Sequence, residues 1–140
     1  MIEVKTNQQQ NIRLLAVKAL SEINRNGAYA NIKLQEYLQK YHLSDLDRRF
    51  FTELVYGVIR RKNYLDAIIV FFAKRPLKKL SSMVVEILRL GIYQIIYMDK
   101  VPESASVNES VKLAKKLTRG LSGFVMLFYV RFYVKVIAFL

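Results

Sequence analysis

The chain has 140 residues, and its 23 Lys and Arg residues against 11 Asp and Glu residues give a formal net charge of +12 at pH 7. This length suits one domain with a hydrophobic core of its own, and the charge exceeds what solubility requires, which favours a polyanionic partner such as nucleic acid or an anionic membrane surface. Because the sequence contains no cysteine, it excludes a disulfide framework, a thiolate metal site and a cysteine nucleophile, and it fits a reducing cytoplasm.

The first residues, MIEVKTNQQQNIR, contain no basic segment followed by an apolar stretch. A secretory signal is therefore not expected, and we predict a cytoplasmic protein. The chain has only two prolines and five glycines, with no low-complexity run and no internal repeat. Nothing before Phe124 suggests a linker between domains.

The spacing of apolar residues is helical along most of the chain and predicts an all-α fold. Residues 7–25 are predicted to form a first helix that stops near Gly27, and residues 31–42 a second helix. Ser44 is predicted to cap the third helix. The fourth helix is predicted to continue as far as Pro76, because proline cannot donate a hydrogen bond to the helical ladder.

Residues 82–98 are apolar on nearly every side and are predicted to form the central buried helix. Within it, Gly91 is expected to let a neighbouring helix approach closely. A sixth helix is predicted to begin with a capping box of Ser106 and Glu109 and to end before Gly120. Up to this point no stretch alternates with the period of two that half-buried strands require.

The sequence offers little for catalysis or metal binding. The single histidine, His42, follows Tyr41 in a predicted turn and has no cysteine or second histidine with which to form a metal site or a nucleophile and base pair. Asp45 and Asp47 lie in the first turn of a predicted helix, where carboxylates complement the helix dipole, so we expect them to cap the helix. The sequence has no glycine-rich phosphate-binding loop.

Basic residues are the feature that points to a function. Four of them recur at i, i+3, i+4 and i+7 in the predicted sixth helix, opposite apolar residues at positions 107, 111, 114 and 117 that are expected to face the core. This spacing suits contacts with phosphates, and a solvated helix face is the alternative. The predicted basic stripe consists of Lys112, Lys115, Lys116 and Arg119.

Further basic clusters lie outside this stripe. Arg13 and Lys18 add charge to the first helix away from its apolar side, and Arg48 and Arg49 open the third helix. The cluster at residues 60–62 is expected to complement the dipole at the end of that helix. Together with the net charge, these clusters favour RNA or DNA as the partner, and we predict nucleic-acid contacts from both the first-helix and third-helix residues.

Several separated stretches, in the same order, resemble one known family. They resemble the NusB-like domain that forms the N-terminal RNA-binding part of bacterial 16S rRNA cytosine-5 methyltransferases of the RsmB (Sun) type, and the resemblance covers about residues 9–125. The same domain exists alone as the transcription antitermination factor NusB, which binds boxA RNA with a ribosomal protein partner. The stretches are DLDRRFFTELVYGVIRR, YLDAII, EILRLGIYQIIYMDKVPESASVNESVKLAKKL and GFV.

The opening NIRLLAVKALSEI, and RPLKKL followed by GIYQIIYM, are similar to the methyltransferase branch in particular. The resemblance implies seven helices in two small helical subdomains, with 16S rRNA as the partner of this branch. For a free-standing NusB-type factor, the partners would be boxA RNA and a ribosomal protein. In the family's pattern, Arg13 and Lys18 match the basic first helix, and Lys112, Lys115 and Lys116 match the region VNESVKLAKK.

The full enzymes use S-adenosylmethionine, which is bound by a separate Rossmann-like domain, and a cysteine thiolate that attacks the cytosine ring. This chain has no cysteine and no room for that domain. We therefore expect a truncated N-terminal part that binds no cofactor and methylates nothing.

The last 17 residues, FVMLFYVRFYVKVIAFL, depart from the family. The family continues after Phe-Val with asparagine, a small residue, an aliphatic residue and Leu-Arg, whereas here Met126 stands in place of the asparagine. If one nucleotide is restored before the ATG codon of Met126, the codons allow Asn-Ala-(Phe/Leu/Ile/Val)-Leu-Arg-x-(Phe/Leu/Ile/Val)-Leu-Arg-Lys. We therefore predict that residues 1–125 are the NusB-like RNA-binding domain and that residues 126–140 are a seventh helix read out of frame.

The alternative is that this tail is a functional segment. Seventeen residues is a short membrane span, and Arg131 and Lys135 near its middle would each cost about 2.5 to 3.5 kcal/mol there, so no transmembrane span is expected. A basic membrane-peripheral protein is the remaining alternative, with these two cations as the polar edge of a segment that lies on the membrane surface.

Overall fold

The computed structural model describes residues 2–27 and 29–138, which form seven α-helices, one short 3₁₀ turn and no β-strand. The all-α prediction is confirmed. The helices divide into two compact units, Met1–Arg60 and Arg61–Leu140, in agreement with the two subdomains that the resemblance implies. The helices are α1 (Ile2–Asn26), α2 (Ala30–Lys40), α3 (Asp45–Arg60), α4 (Lys62–Ala73), α5 (Ser82–Tyr97), α6 (Glu103–Leu117) and α7 (Ser122–Ala138).

The first unit is formed by α1, α2 and α3, with α1 packed against both of the others. The buried residues of α3 recur at helical spacing, whereas α1 is buried on nearly every side from Ile12 to Ser21, where only Arg13 and Lys18 are not buried. This apolar burial supplies most of the unit's stability. Its buried apolar residues are Ile12, Leu14, Leu15, Ala16, Val17, Ala19, Leu20, Leu34, Phe51, Leu54, Val55 and Val58.

Polar contacts attach α2, which buries only Leu34. The ring of Tyr37 lies 5.8 Å from that of Phe51, and its hydroxyl donates a 3.2 Å hydrogen bond to Glu22 Oε1 on α1. Lys33 Nζ lies 3.3 Å from the other oxygen of the same carboxylate. Burial raises the pKa of Tyr37, and so does the charge of Glu22, which keeps the hydroxyl protonated as a donor.

The ends of the helices follow turn chemistry, with two corrections to the predicted boundaries. Gly27 adopts a left-handed conformation (φ 64°) after α1, and Ser44 Oγ accepts a 3.2 Å hydrogen bond from the backbone N–H of Asp47, as the capping prediction requires. The helix α4 ends at Ala73, where Lys74 turns left-handed (φ 56°), so the prediction that it reaches Pro76 was wrong. Proline disfavours helical backbone in the residue before it, which ends the helix early.

The predicted start of the sixth helix was also wrong. The helix begins at Glu103, directly after Pro102, whose extended backbone precedes the first turn. Ser106 therefore lies inside the helix and is fully buried, so it cannot cap the N-terminus together with Glu109. A proline just before the first helical residue and an acidic residue in the first turn are the signals that mark this start.

The second unit is built around α5, as the sequence predicts. Every residue from Val84 to Gln94 is buried, and the helix packs against α4 and α6. Ser81 Oγ accepts a hydrogen bond from the Val84 N–H at 3.4 Å and so caps the N-terminus of the helix. A helix buried on all sides requires small residues or paired polar groups wherever a neighbour approaches closely.

Gly91 provides such a close approach. A Cβ atom added at this position would overlap the hydroxyl of Tyr129 on α7 and lie 2.5 Å from Ser110 Oγ on α6. Ser110 Oγ donates to the carbonyl of Ser106 (2.8 Å), which leaves the Tyr129 hydroxyl to donate to Ser110 Oγ (2.7 Å). Burial raises the pKa of Tyr129, so the phenol stays protonated. The prediction of close packing at Gly91 is confirmed, and α5, α6 and α7 meet there.

A buried ion network joins α4 to α5. The guanidinium of Arg89 donates to both carboxylate oxygens of Asp66, at 2.6 Å from Nε and 3.0 Å from Nη2, and to Glu86 Oε1 at 3.1 Å from Nη1. Burial opposes the charge of Arg89, but the hydrogen bonds and charges of the two carboxylates outweigh it and raise its pKa above the ordinary value. The paired fork geometry holds α4 and α5 in one register.

We predict that Arg89→Leu lowers the free energy of unfolding by about 3 to 5 kcal/mol, because the substitution removes the cation that offsets two carboxylates in a buried site. Urea denaturation followed by circular dichroism would measure the change. Lys115→Ala, at an exposed position, is the control and should change the free energy by less than about 1 kcal/mol. A loss as small as that of the control would contradict this account of the network.

We also predict that Gly91→Ala destabilises the fold by about 1 to 3 kcal/mol through overpacking against Tyr129. Adding Tyr129→Phe in the same chain should recover part of this loss, because it removes the oxygen that the new methyl group meets. The matched control is Gly123→Ala in the first turn of α7, where an added Cβ meets no atom within 4 Å. Since alanine favours helices over glycine, that variant should be neutral or more stable; equal losses at both glycines would refute the steric argument.

Candidate nucleic-acid interface

The first unit carries four of the predicted RNA-binding residues, but they are not equally accessible. Lys18, Arg48 and Arg49 are exposed. Arg13 is half-buried, with its guanidinium carbon 5.2 Å from the centre of the Phe50 ring. This contact holds Arg13 against α3, so part of its surface is already engaged within the protein.

Arg13 and Lys18 do not share a face of α1. They are five residues apart, which turns the second about 140° around the helix from the first. Arg48 and Arg49 lie in the first turns of α3, and Arg49 Nε is 3.5 Å from the backbone carbonyl of Asp45. Arg13, which contacts Phe50 on α3, and Lys18 therefore lie on different sides of α1.

The second unit carries the predicted basic stripe, with one correction. Lys112, Lys115 and Lys116 are exposed on one face of α6, as predicted. Arg119 lies beyond the end of the helix, because the N–H and Oγ1 of Thr118 both donate to the carbonyl of Ala114, at 3.0 and 2.6 Å, and close the last turn. The stripe therefore contains three lysines in helical geometry, and Arg119 follows it as an exposed residue of the next turn.

The opposite face of α6 is buried, and of the four residues expected on it only Ala114 is fully buried. Positions 107, 111 and 117 are only half-buried. The buried residues are Ser106, Ser110, Leu113 and Ala114. Small side chains allow α6 to approach α5 and α7 closely, and their spacing of three and four residues is the signal that identifies this face in the sequence. The three lysines point away from it, so they are free to meet a partner without any change in packing.

Electrostatics support an anion partner at the α6 stripe. The lysines 115 and 116 lie in the last turn of the helix, where they also complement its dipole. Lys112 lies 3.5 Å from Glu109 in an exposed pair, which weakens its field only modestly. The face consequently presents three ammonium groups within two turns, a spacing that suits phosphates along a nucleic-acid backbone.

Two contacts between cations and rings in the second unit were not predicted. The guanidinium carbon of Arg61 lies 4.8 Å from the centre of the Tyr97 ring, and that of Arg75 lies 5.7 Å from the Phe124 ring. From the sequence, Arg61 was expected only to complement the dipole at the end of the third helix. Tyr97 follows Arg61 by 36 positions, and no local sequence pattern predicts a contact between residues so far apart.

An apolar groove of about 340 Å³ lies between α4 and α7 in the same unit. Arg131 Nη1 lies 3.4 Å from the backbone carbonyl of Phe72 at its edge. The groove combines exposed apolar side chains with two cations from α7 and one from the residue that follows α4. These residues are Phe71, Val130 and Val134, with Lys74, Arg131 and Lys135 beside them.

Within the described residues, no helix has both the length and the apolar content to cross a membrane. The same residues contain no group of three His, Cys, Asp or Glu side chains placed to hold a metal ion.

Comparisons with known proteins place this geometry in context. The sequence profile of the NusB family matches residues 10–125. A probable ribosomal RNA small subunit methyltransferase B from Synechocystis is 47% identical over 111 residues, which make up 79% of this chain and 24% of that protein. The transcription antitermination protein NusB of Shewanella baltica is 30% identical over 112 residues, which make up 80% of this chain and 84% of that protein. The chain thus spans about a quarter of the methyltransferase.

A solved structure shows the same fold. A chain in the crystal structure of antitermination factors NusB and NusE in complex with double-stranded RNA superimposes with a TM-score of 0.79. The match covers 91% of this chain and 97% of that chain, at 19% sequence identity. Helix order and packing are therefore shared, although few side chains are.

Proposed function

Because this chain belongs to the NusB family, we propose that it is an RNA-binding domain of an rRNA cytosine-5 methyltransferase and that it binds 16S rRNA. The observation that carries the proposal is the exposed lysine face of α6, which lies within the matched region and opposite a buried face. The 47% identity to a ribosomal RNA methyltransferase supports this branch over the antitermination proteins, which match at 30%. Both branches act on RNA inside the cell, so we place the protein in the bacterial cytoplasm.

We assign these 140 residues a binding role without a catalytic one. Methyl transfer to carbon 5 of cytosine requires a nucleophile that adds to the ring first, and the sequence contains no cysteine thiol to do so. The matched region makes up 24% of the related methyltransferase. S-adenosylmethionine and the methylation chemistry would belong to the rest of such a protein, with this domain holding the RNA.

The alternative function is that of a free-standing antitermination factor. The matched region makes up 84% of the Shewanella baltica antitermination protein. In that case the partners would be boxA RNA and a ribosomal protein. A chain in the solved complex of NusB and NusE with double-stranded RNA has the same fold as this chain, which supports this alternative.

We predict that the double variant Lys115→Ala, Lys116→Ala weakens binding to a 16S rRNA fragment and reduces its salt dependence. Each lost phosphate contact should lower the slope of log affinity against log salt by about 0.7 to 0.9, so two contacts should lower it by about 1.5. Lys40→Ala, Lys100→Ala removes the same charge at exposed positions outside the predicted site and should leave the slope nearly unchanged. Fluorescence anisotropy between 50 and about 200 mM salt covers the useful range.

Equal slopes for the two double variants would show that only net charge matters and would refute a site on α6. Excess tRNA should be present throughout as a competitor, because nonspecific binding is also salt-dependent. Comparison of the 16S fragment with boxA RNA under the same competition distinguishes the two branches. Crosslinking the bound RNA to the purified chain would then locate the contacted residues directly.

We also propose that residues 126–140 are read from a shifted frame, and the burial pattern of α7 supports this proposal. The residues at positions 125, 128, 129 and 132 are buried, and the restored reading keeps the last three of these positions apolar. The restored reading places asparagine, alanine, arginine and arginine at four positions that are exposed in the structure. The residues now at these positions are Met126, Leu127, Val130 and Val134. The family match also ends at residue 125.

Sequencing the DNA of an independent preparation, from codon 120 through the region downstream of codon 140, tests the frame proposal. We expect one additional nucleotide near codon 126, followed by an open frame that encodes the rest of a methyltransferase. An unchanged sequence with no such frame downstream would refute it. The measurement needs no folded protein, so its outcome does not depend on RNA binding.

A third candidate function, binding to the surface of an anionic membrane, is favoured by the groove between α4 and α7. Its exposed apolar residues and three cations match the composition of surface-bound helices. The restored frame would replace Val130 and Val134 by polar residues and remove much of this apolar surface. Sedimentation with vesicles of anionic phospholipid, with tRNA as a competitor, separates this function from RNA binding.

A further inference from the structure

Three flat side chains are stacked where α4 begins and α5 ends. Arg61 is the residue before the first turn of α4, and its guanidinium lies 4.8 Å from the ring centre of Tyr97, the last residue of α5. The ring of Tyr97 in turn lies 5.2 Å from that of Tyr93, at an interplanar angle of 30°. Exposure decreases along the stack: Arg61 is exposed, Tyr97 is half-buried and Tyr93 is buried. The stack therefore leads from the surface into the core.

The buried ion network places this stack. Arg89, Tyr93 and Tyr97 are spaced by four residues and lie along one side of α5. Asp66, which pairs with Arg89, lies about one turn into α4 after Arg61. Because the ion pair fixes the register of the two helices, the start of α4 is held against the end of α5, and Arg61 reaches Tyr97.

The outer side of the stack offers a surface for a flat ligand. A guanidinium is planar and weakly hydrated, and it stacks on aromatic rings. Tyr64 lies in the first turn of α4, three residues after Arg61, and it is 56% exposed, so it adds an accessible aromatic ring near the start of this helix. The positive end of the α4 dipole and the charge of Arg61 favour a negatively charged group next to the ring. A planar group that carries a phosphate fits this combination.

We propose that Arg61, held in place by Tyr97, forms together with Tyr64 a stacking site for an unpaired nucleobase of single-stranded RNA. Bases within a duplex are stacked on one another, so only an unpaired base can insert against these side chains. Stacking does not depend on base identity, because every base has a flat π face. This inference rests on the proposed RNA-binding function. In addition to the lysines of α6, which would contact phosphates, it assigns residues that would contact bases.

The contact between Arg61 and Tyr97 also has a structural reading, in which it only fastens the ends of two helices. Two substitutions separate the readings. Arg61→Lys keeps the positive charge but removes the planar group, and Tyr64→Ala removes an exposed ring. A purely structural contact would lower thermal stability in the first variant and would not concern Tyr64 at all.

The test measures the affinity of each variant for a single-stranded oligoribonucleotide and for a duplex of the same length, by fluorescence anisotropy at low salt. A stacked base contributes about 1 to 3 kcal/mol, and each 1.4 kcal/mol is tenfold. We therefore expect each variant to bind the single strand about tenfold more weakly and the duplex less than about twofold more weakly. Tyr29→Ala, at a tyrosine 74% exposed in the first unit, is the matched control and should bind both RNAs normally.

Unchanged single-strand affinity in both variants, or equal losses for single strand and duplex, would overturn the stacking site. The melting temperature of Tyr64→Ala should equal that of the unmodified chain, so loss of fold does not confuse the result. If the unmodified chain binds neither RNA, the proposed function fails and the stacking site with it. If it binds and only the variants are unaffected, the RNA-binding function stands and the stacking site alone is refuted.

Discussion

The hydrogen-bonded pairing of Arg89 with Asp66 and Glu86 is the constraint on which the second unit depends. A charge buried in a largely apolar helix is costly unless its partners are placed to meet it, and both carboxylates lie at hydrogen-bonding distance from this guanidinium. Replacing a buried ion pair by well-packed apolar residues is often neutral, so the net stability gained from such a pair is small, and we infer that the role of this one is to set the register of α4 against α5. The position of Gly91, two residues later on α5, then determines where α6 and α7 can approach.

The helical content was predictable because apolar spacing and capping residues act locally. The central position of α5 was predictable from the largely apolar sequence of residues 82–98. The close approach at Gly91 was predictable because this is the one glycine in that stretch. Two boundaries were wrong because proline acts on its neighbours: it shortened α4 through the residue before it and started α6 through the residue after it. The pairing of Asp66 with Arg89 could not be predicted, since the two lie 23 positions apart with no periodic relation.

The candidate site shows the same division between local and distant information. Lys112, Lys115 and Lys116 were predictable as one face, because the helix that carries them is regular. Arg119 was misplaced because the stripe was extended past the point where Thr118 closes the helix. Arg61 was recognised as a charge but not as part of a stack, because its ring partner comes from another helix.

The burial pattern of α7 affects the solubility of the folded protein. The positions that face the core are apolar both in this sequence and in the restored frame, so the helix can pack in either case. Only the outer side differs, and there the present sequence exposes apolar side chains on successive turns. The tail therefore lowers the solubility of the folded protein and not its ability to fold. Folded molecules with this apolar outer surface would attract one another, so they would precipitate at a lower concentration than molecules with arginine and asparagine at the same positions.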